Sequence, residues 1–267
     1  AISNAAKARP RCMPNPWVGA VLVSSDGQTF DGFTQEFGSG HAETVCLNEA
    51  GQKAQGATLY VTLEPCSHSG KTGPCVERII ESRVSRVVIG MKDPDRQVCG
   101  EGIKSLQSAG VDVVVGVLED LVAEQLAPYV HHRNTGRPYV ILKIATTLDG
   151  KVAAPDGSSQ WITGAQARRE GHKLRAYSDA ICVGRGTVIS DNPQLTVRDW
   201  SADDDIDKNL DPRRIVLGSV PAEAAIHPCY EFRGDLFELL DELGNDGVLQ
   251  LLVEGGASTY KAFHDLG

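Results

Sequence analysis

His41 and Glu43, two residues apart, are followed by two Pro-Cys pairs, Pro65-Cys66 and Pro74-Cys75. Together they supply an imidazole nitrogen, two thiol sulfurs and a carboxylate. Nitrogen and thiolate sulfur are donors that Zn²⁺ prefers, and three protein ligands leave the fourth tetrahedral position to water, the arrangement of a catalytic site. A zinc ion lowers the pKa of such a water towards neutrality. A carboxylate that is not itself a ligand can then carry protons between the water and a leaving amine. The expected chemistry is zinc-assisted hydrolysis, with His41, Cys66 and Cys75 as ligands and Glu43 as the proton carrier. Taken singly, each has a plainer reading: a helix-start histidine, an acid favoured by the helix dipole, or a small core cysteine. The four together, with both Pro-Cys pairs, favour the metal.

These side chains need elements to hold them. Residues 17–25 and 29–34 read as a hairpin turning at Asp26-Gly27, and 42–53 as a helix ending at a glycine-rich turn. A buried strand over 57–63 leads to Cys66, and a helix over 75–82 starts at Cys75, directly after Pro74. Helix N-termini lower thiol pKa values, which favours metal-binding thiolates. Residues two apart do not share a face in mid-helix, so His41 and Glu43 serve one centre only at the mouth of the first turn. Further on come a strand over 86–90, a helix over 101–109 and a strand over 111–117. The polar stretch 131–138 marks the expected domain boundary. Beyond it the alternation restarts with strands at 139–145, 180–184, 214–217 and 248–253 and helices at 165–177, 236–243 and from 257. Alternating strands and helices predict parallel pairing with helices on the sheet faces.

The chain has 267 residues, 41% hydrophobic and 23% charged, the composition of a soluble globular protein of one or two domains. Its net charge of −9 argues against a phosphodiester-binding surface, so no nucleic-acid partner is expected. No apolar run is long enough to span a bilayer, and residues 1–9 read as an amphipathic fragment and not a signal peptide. The seven cysteines have no framework spacing outside the site and read as reduced thiols of a cytoplasmic protein. Asp203, Asp204 and Asp205 read as a solvated loop. Oligomeric state is not legible, and a homo-oligomer stays open.

The order His-x-Glu followed by two cysteines is that of zinc nucleobase deaminases, whose usual signature is Pro-Cys-x-x-Cys. Here eight residues separate the cysteines. The intervening segment contains His68, Lys71 and Thr72 beside two glycines, a composition suited to wrapping an anion. His68 is alternatively a fourth ligand, which would leave no water for Glu43 to activate.

The run from Ala42 to Cys75, centred on Thr62-Leu63-Glu64-Pro65-Cys66, resembles the deaminase domain of the bifunctional riboflavin-biosynthesis deaminase/reductase family. Pro14-Asn15-Pro16-Trp17-Val18-Gly19 resembles that family's opening strand, and Asp93-Pro94-Asp95 its later loop. The resemblance implies that Asn15, His68, Lys71 and Thr72 hold the substrate, the last three near its phosphate. The chain departs from the family pattern at Gly73, where proline is common, and at Thr34, where a histidine often stands seven residues before the zinc histidine.

The second half carries glycine-flanked turns at Val183-Gly184-Arg185-Gly186 and Glu254-Gly255-Gly256, each at a strand end and opening a helix, where backbone N–H groups suit a phosphate. The spacing is not that of the usual dinucleotide fingerprint. With the run from Lys143 to Lys151 and the helix bearing His172 and Arg175, these fragments resemble the reductase domain of the same family. That domain is similar in fold to dihydrofolate reductase and uses NADPH. The resemblance places Ala145, Trp161, Thr187, Asp191, Ser219 and Gly256 around the cofactor. It places Ser159, Arg175, Leu195, Arg198 and Glu254 around the ribosyl-phosphate substrate, for which arginine is well suited.

The expected architecture is thus two α/β domains. Residues 1–136 form a cytidine-deaminase-like three-layer α/β/α unit, and residues 137–267 a dihydrofolate-reductase-like α/β unit, incomplete at its C-terminal end. The expected cofactors are Zn²⁺ and NADPH. The expected substrate is a phosphorylated pyrimidine ribosylamine, deaminated hydrolytically and then reduced from ribosyl to ribityl. The alternatives are a cytidine or tRNA-adenosine deaminase with an appended nucleotide-binding domain, and a non-catalytic zinc-stabilised binding protein.

Overall fold

The computed structural model describes residues 1–68, 73–96, 98–155, 161–198, 200 and 210–266. The chain divides into two compact units, Ala1–Thr135 and Gly136–Gly267. The first contains α1 (Ile2–Ala8), β1 (Gly19–Val23), β2 (Thr29–Phe33), α2 (Ala42–Ala50), β3 (Thr58–Leu63), α3 (Cys75–Glu81), β4 (Arg86–Met91), α4 (Glu101–Ser108), β5 (Asp112–Val115), α5 (Glu119–Gln125) and α6 (Ala127–Thr135). Its sheet runs β2-β1-β3-β4-β5. β1 pairs antiparallel with both β2 and β3, whereas β3, β4 and β5 are parallel.

Two glycines show how close the helices come. A Cβ on Gly19 would enter the backbone of Ala1 and Ala5, so α1 lies against that face of β1. A Cβ on Gly32 would enter the Ala42 carbonyl, so α2 lies against β2 there. Gly19 is paired with Phe33, the neighbour of Gly32, and successive strand residues point to opposite faces. The two helices therefore cover opposite sides, giving the three layers.

α2 is shorter than the periodicity predicts. Gly51 takes φ 52°, ψ −126°, and residues Gly51–Ala54 continue as a 3-10 turn. The stretch 131–138, expected as the domain boundary, is partly helical: α6 runs to Thr135 with His132 buried, and it also buries Pro128 and Tyr129. Hydrophobic spacing hides α6, because its few buried residues include a proline and a histidine.

The second unit contains β6 (Tyr139–Lys143), α7 (Ala165–Ala176), β7 (Ala180–Gly184), α8 (Arg185–Asp191), β8 (Arg213–Leu217), β9 (Tyr230–Phe232), α9 (Leu236–Asn245), β10 (Gln250–Glu254) and α10 (Ala257–His264). Its sheet runs β6-β10-β7-β8-β9, with every pairing parallel. Covered parallel strands read as continuous apolar runs, and β7 and β10 are buried along nearly their whole length. Alternate residues feed two cores. Ala180, Cys182, Ile215, Leu251 and Val253 pack with Leu239, Leu243 and Phe263. Ile181, Val183, Val216 and Leu252 pack with Val188, Leu195 and Ile226. α9 starts with a reciprocal cap between Asp235 and Glu238. No helix among the described residues is long and apolar enough to cross a membrane.

An alanine at Gly32 would bring its Cβ to within 2.8 Å of the Cys46 Cβ as well as into the Ala42 carbonyl. Overpacking of this kind costs about 1–3 kcal/mol. Gly32→Ala is expected to lower the urea midpoint accordingly, whereas Gly164→Ser, at a helix N-cap with φ −70° where a Cβ would meet nothing within 4 Å, should cost less.

Candidate metal centre

β3 ends at Leu63, and the chain then passes through Glu64 and Pro65 to Cys66. His41 is the N-cap of α2, with extended backbone (φ −73°, ψ 162°), and Glu43 lies in the first turn. Because His41 stands outside the helical spiral, the usual two-apart exclusion does not apply to it. Cys75 opens α3, with Pro74 as the N-cap. The His41 ring nitrogen Nδ1 is 3.6 Å from Cys66 Sγ and 3.3 Å from Cys75 Sγ. One donor atom from each of His41, Cys66 and Cys75 lies within 4.8 Å of the others.

This spacing can be checked against a zinc ion. Bonds of about 2.0–2.1 Å to nitrogen and about 2.3 Å to sulfur at tetrahedral angles put nitrogen and sulfur about 3.5 Å apart. The two measured nitrogen–sulfur separations straddle that value. Nitrogen and sulfur donors, with no carboxylate among them, also suit zinc over magnesium or calcium. The residues fit the metal.

The electrostatics of the cluster favour a thiolate. Hydrogen bonding from the Cys75 thiol and the His41 ring, working against burial, holds Cys66 down to about 4. The Cys75 amide also donates to Cys66 Sγ at 3.4 Å. The same thiol–thiol contact, together with burial, pushes Cys75 upward. The bond with Cys66 raises His41 against the effect of its burial. Glu43 is 4% exposed. Burial first, and then the neighbouring Cys66 thiolate, push its carboxyl up to about 7, partly offset by His41. A carboxyl brought near neutrality beside the metal donors is suited to both taking and giving a proton.

Of the other residues expected here, Asn15 is half-buried, its amide donating to the Cys12 carbonyl at 2.8 Å. His68 is exposed and is not part of the donor cluster found among the described residues. Lys71 and Thr72 lie outside the described residues, as does Ser159 in the second unit and the run from Asp203 to Asp205. Thr34 is buried, and its hydroxyl accepts from the Val18 amide at 3.0 Å, so it braces the start of β1.

In the second unit, four expected cofactor residues follow the carboxyl ends of neighbouring parallel strands. Ala145 follows β6, Gly256 follows β10, Thr187 sits in the first turn of α8 after β7, and Ser219 follows β8. That edge is where open parallel sheets bind ligands. Gly256 is the exposed N-cap of α10, and a Cβ there would meet nothing within 4 Å. A Cβ on Gly184, the N-cap of α8, would stand 2.6 Å from Thr259 Oγ1, so the starts of α8 and α10 are neighbours. The exposed glycine cradle on the strand ends fits a phosphate-bearing cofactor. Asp191 closes α8 and is exposed. Trp161 is 70% exposed, its ring covered by Arg168 at 4.4 Å; it is not a core tryptophan.

The expected substrate residues divide. Arg175 and Glu254 form a two-pronged pair, with Nε to Oε1 at 2.8 Å and one Nη2 bond to Oε2 at 2.9 Å. Arg175 also donates to the Thr196 carbonyl at 3.0 Å, and Lys143 stands 3.4 Å from Glu254. Burial raises Glu254, but Arg175 and then Lys143 outweigh it and leave the carboxyl below its usual range. Arg198 is exposed, and its amide donates to His172 Nδ1 at 3.1 Å. Leu195 packs in the core at 3% exposure with φ 55°, so only its backbone can face a ligand.

Three residues had no role assigned from the sequence: Glu64 and Asp93 in the first unit and Lys143 in the second. Glu64 is buried and accepts three backbone N–H bonds. Buried Asp93 accepts from the Tyr129 hydroxyl at 3.0 Å and the Asp95 amide at 2.9 Å. Lys143, quoted only as part of a motif, joins the Arg175–Glu254 pair. A charged residue closing an apolar strand was the available signal for Glu64; Tyr129, 36 residues from Asp93, had none.

Residues 138–267 match the RibD C-terminal domain family, and residues 1–91 match the cytidine and deoxycytidylate deaminase zinc-binding region. The riboflavin biosynthesis protein RibD of Chlamydia muridarum is 40% identical, over 94% of this chain and 76% of its own. Acinetobacter baumannii RibD aligns in structure with a TM-score of 0.92 at 37% identity, covering 100% of this chain and 82% of that one. A diaminohydroxyphosphoribosylaminopyrimidine deaminase/5-amino-6-(5-phosphoribosylamino)uracil reductase from Thermotoga maritima aligns with a TM-score of 0.88 at 36% identity, covering 100% and 82%.

The Asp93 cluster has a measurable pH signature. Burial lifts Asp93 from 3.8 to about 6, against the hydrogen bonds from Asp95 and Tyr129. A folded pKa above the unfolded one means the native state holds the proton more tightly, so stability is lost as pH rises through that window. Asp93→Asn cannot ionise yet still accepts both bonds. In urea melts it is expected to gain about 1–3 kcal/mol on wild type between about pH 4 and 6, with no further change above.

Proposed function

The chain belongs to the RibD family of riboflavin biosynthesis, enzymes that join a zinc-dependent deaminase to an NADPH-dependent reductase, and from that premise we propose its substrate and the roles of its residues. The substrate is a diaminopyrimidinone carrying a ribosylamino phosphate. It loses an exocyclic amine in the first unit, and its ribosyl group is reduced to ribityl in the second. The observation that carries this reading is the buried Glu43 beside three donors spaced for one zinc ion.

His41, Cys66 and Cys75 hold the metal. Zinc, when bound, supplies Lewis-acid activation of a water. Glu43 takes a proton at its carboxylate and returns it to the departing amine, so that water adds oxygen to the ring carbon, the carbon–nitrogen bond breaks and ammonia leaves. Its burial disfavours the bare carboxylate, which suits it to take up a proton from the water. Its burial keeps bulk water from competing for the proton. Asn15, His68, Lys71 and Thr72 are assigned to the substrate, the last three to its phosphate.

NADPH, when bound, supplies the hydride for the second step. Ala145, Trp161, Thr187, Asp191, Ser219 and Gly256 are assigned to orienting it, a reading supported by four of them following adjacent strand ends. Ser159, Arg175, Leu195, Arg198 and Glu254 are assigned to the substrate. Because Arg175 is committed to Glu254 by two bonds, its part is to fix that carboxylate and to offer its remaining N–H groups.

Ammonia release and NADPH oxidation, measured separately, test the two halves. Glu43→Gln should retain one zinc per chain while ammonia release falls about 10²–10⁴-fold, the usual scale of general acid–base catalysis. Reduction of substrate already deaminated should be unaffected. Full ammonia release by that variant, or turnover of free cytidine or tRNA by the wild type, overturns the deaminase assignment. Arg175→Lys cannot reproduce the fork; it should slow NADPH oxidation and leave ammonia release at the wild-type rate.

A further inference from the structure

Glu64 stands two residues before the ligand Cys66 and is 3% exposed. Its Oε2 accepts from the Asp93 amide at 3.2 Å and the Gly100 amide at 3.0 Å, and its Oε1 from the Ile103 amide at 3.2 Å. Gly100 is the N-cap of α4 and has no side chain with which to satisfy the free amides of the first turn. A carboxylate from another part of the chain serves instead as the cap, and its negative charge suits a helix N-terminus. The contact is tight in a second respect: a Cβ on Gly102 would enter the Pro65 carbonyl. The Glu64 amide donates to Met91 on β4, and the Cys66 carbonyl accepts from Val76 on α3 at 3.2 Å. The three-residue segment ending in the thiolate is thus held by β4, α4 and α3 together, with proline as its stiff middle residue.

We propose that Glu64 is a positioning residue that sets the Cys66 thiolate at its place in the zinc site by clamping the Glu64-Pro65-Cys66 segment to the first turn of α4. The proposal rests on His41, Cys66 and Cys75 being the metal ligands. Three converging N–H groups require an acceptor with at least three lone pairs on two oxygens. Glutamine has one oxygen and would turn an NH₂ group towards a donor. Residues that orient metal ligands typically change metal affinity about 10–100-fold when replaced.

The test uses the full chain loaded with Co²⁺, read by the thiolate-to-cobalt charge-transfer band and by chelator competition. Glu64→Gln should shift or weaken that band and lower cobalt and zinc affinity about 10–100-fold. Leu106→Ala, which empties a fully buried site on the same helix, should lower Tm but keep the wild-type band and affinity. Gly102→Ala, whose Cβ would enter the Pro65 carbonyl and stand 3.2 Å from Glu64 Oε1, disturbs the same clamp from the α4 side; it should alter the band as Glu64→Gln does, and it carries the test where Glu64→Gln does not fold. A wild-type band and affinity in folded Glu64→Gln, or an equal effect from Leu106→Ala, would show that Glu64 only stabilises the fold and overturns the proposal while leaving the ligand assignment standing. A wild-type chain that develops no thiolate–cobalt band overturns the ligand assignment, and the proposal with it.

Discussion

One imidazole and two thiols must be held within a few ångströms of each other, although each would be better solvated apart. The first unit is organised around meeting that constraint. His41 and Cys75 stand at helix starts, where the backbone leaves the spiral and side chains are free to converge. Cys66 stands just past a strand end, where the sheet stops supplying hydrogen bonds and other groups must take over. Gly32 lets α2 approach the sheet closely, and buried Glu64 ties the strand end to α4. Burial of Glu43 then follows from the same packing, and its raised pKa is a consequence of burial and a neighbouring thiolate.

The second unit meets a different constraint. An all-parallel sheet gathers its strand ends on one edge, and the exposed glycine N-cap of α10 there leaves a helix start open to an anion. The Arg175–Glu254 pair at that edge is only 15% and 10% exposed. Breaking either half of such a pair would leave an uncompensated buried charge, so the geometry of this edge depends on both residues. Arg175, with Lys143 as a second cation, keeps Glu254 ionised despite its burial.

Much of this was legible beforehand where the signal was local. The hairpin turned at Asp26-Gly27, the Pro-Cys pair at 74–75 opened a helix, and the apolar runs at 180–184 and 248–253 became central strands within a residue or two. Local signals do not reveal which side chains remote segments cover. The end of α6 lies hidden within the expected boundary stretch, because the burial of Tyr129 and His132 depends on remote segments. Trp161, expected beside the cofactor, stands in the open with an arginine across its ring. Leu195, expected beside the substrate, turns its side chain to the core and leaves only its backbone for a ligand.

The sequence by itself determined the chemistry: which donors are present, that zinc suits them, and that a glutamate two residues from the histidine could carry protons. Donor identity is a property of residue type and needs no coordinates. Only the tertiary structure decided the distances and the environments. That Nδ1 and the two sulfurs converge, that His68 stays out of the cluster, and that Glu64 reaches amides 29, 36 and 39 residues away all depend on how separate elements pack. Burial, and with it the pKa of Glu43, arises from contacts between segments remote in the chain, which no local pattern encodes.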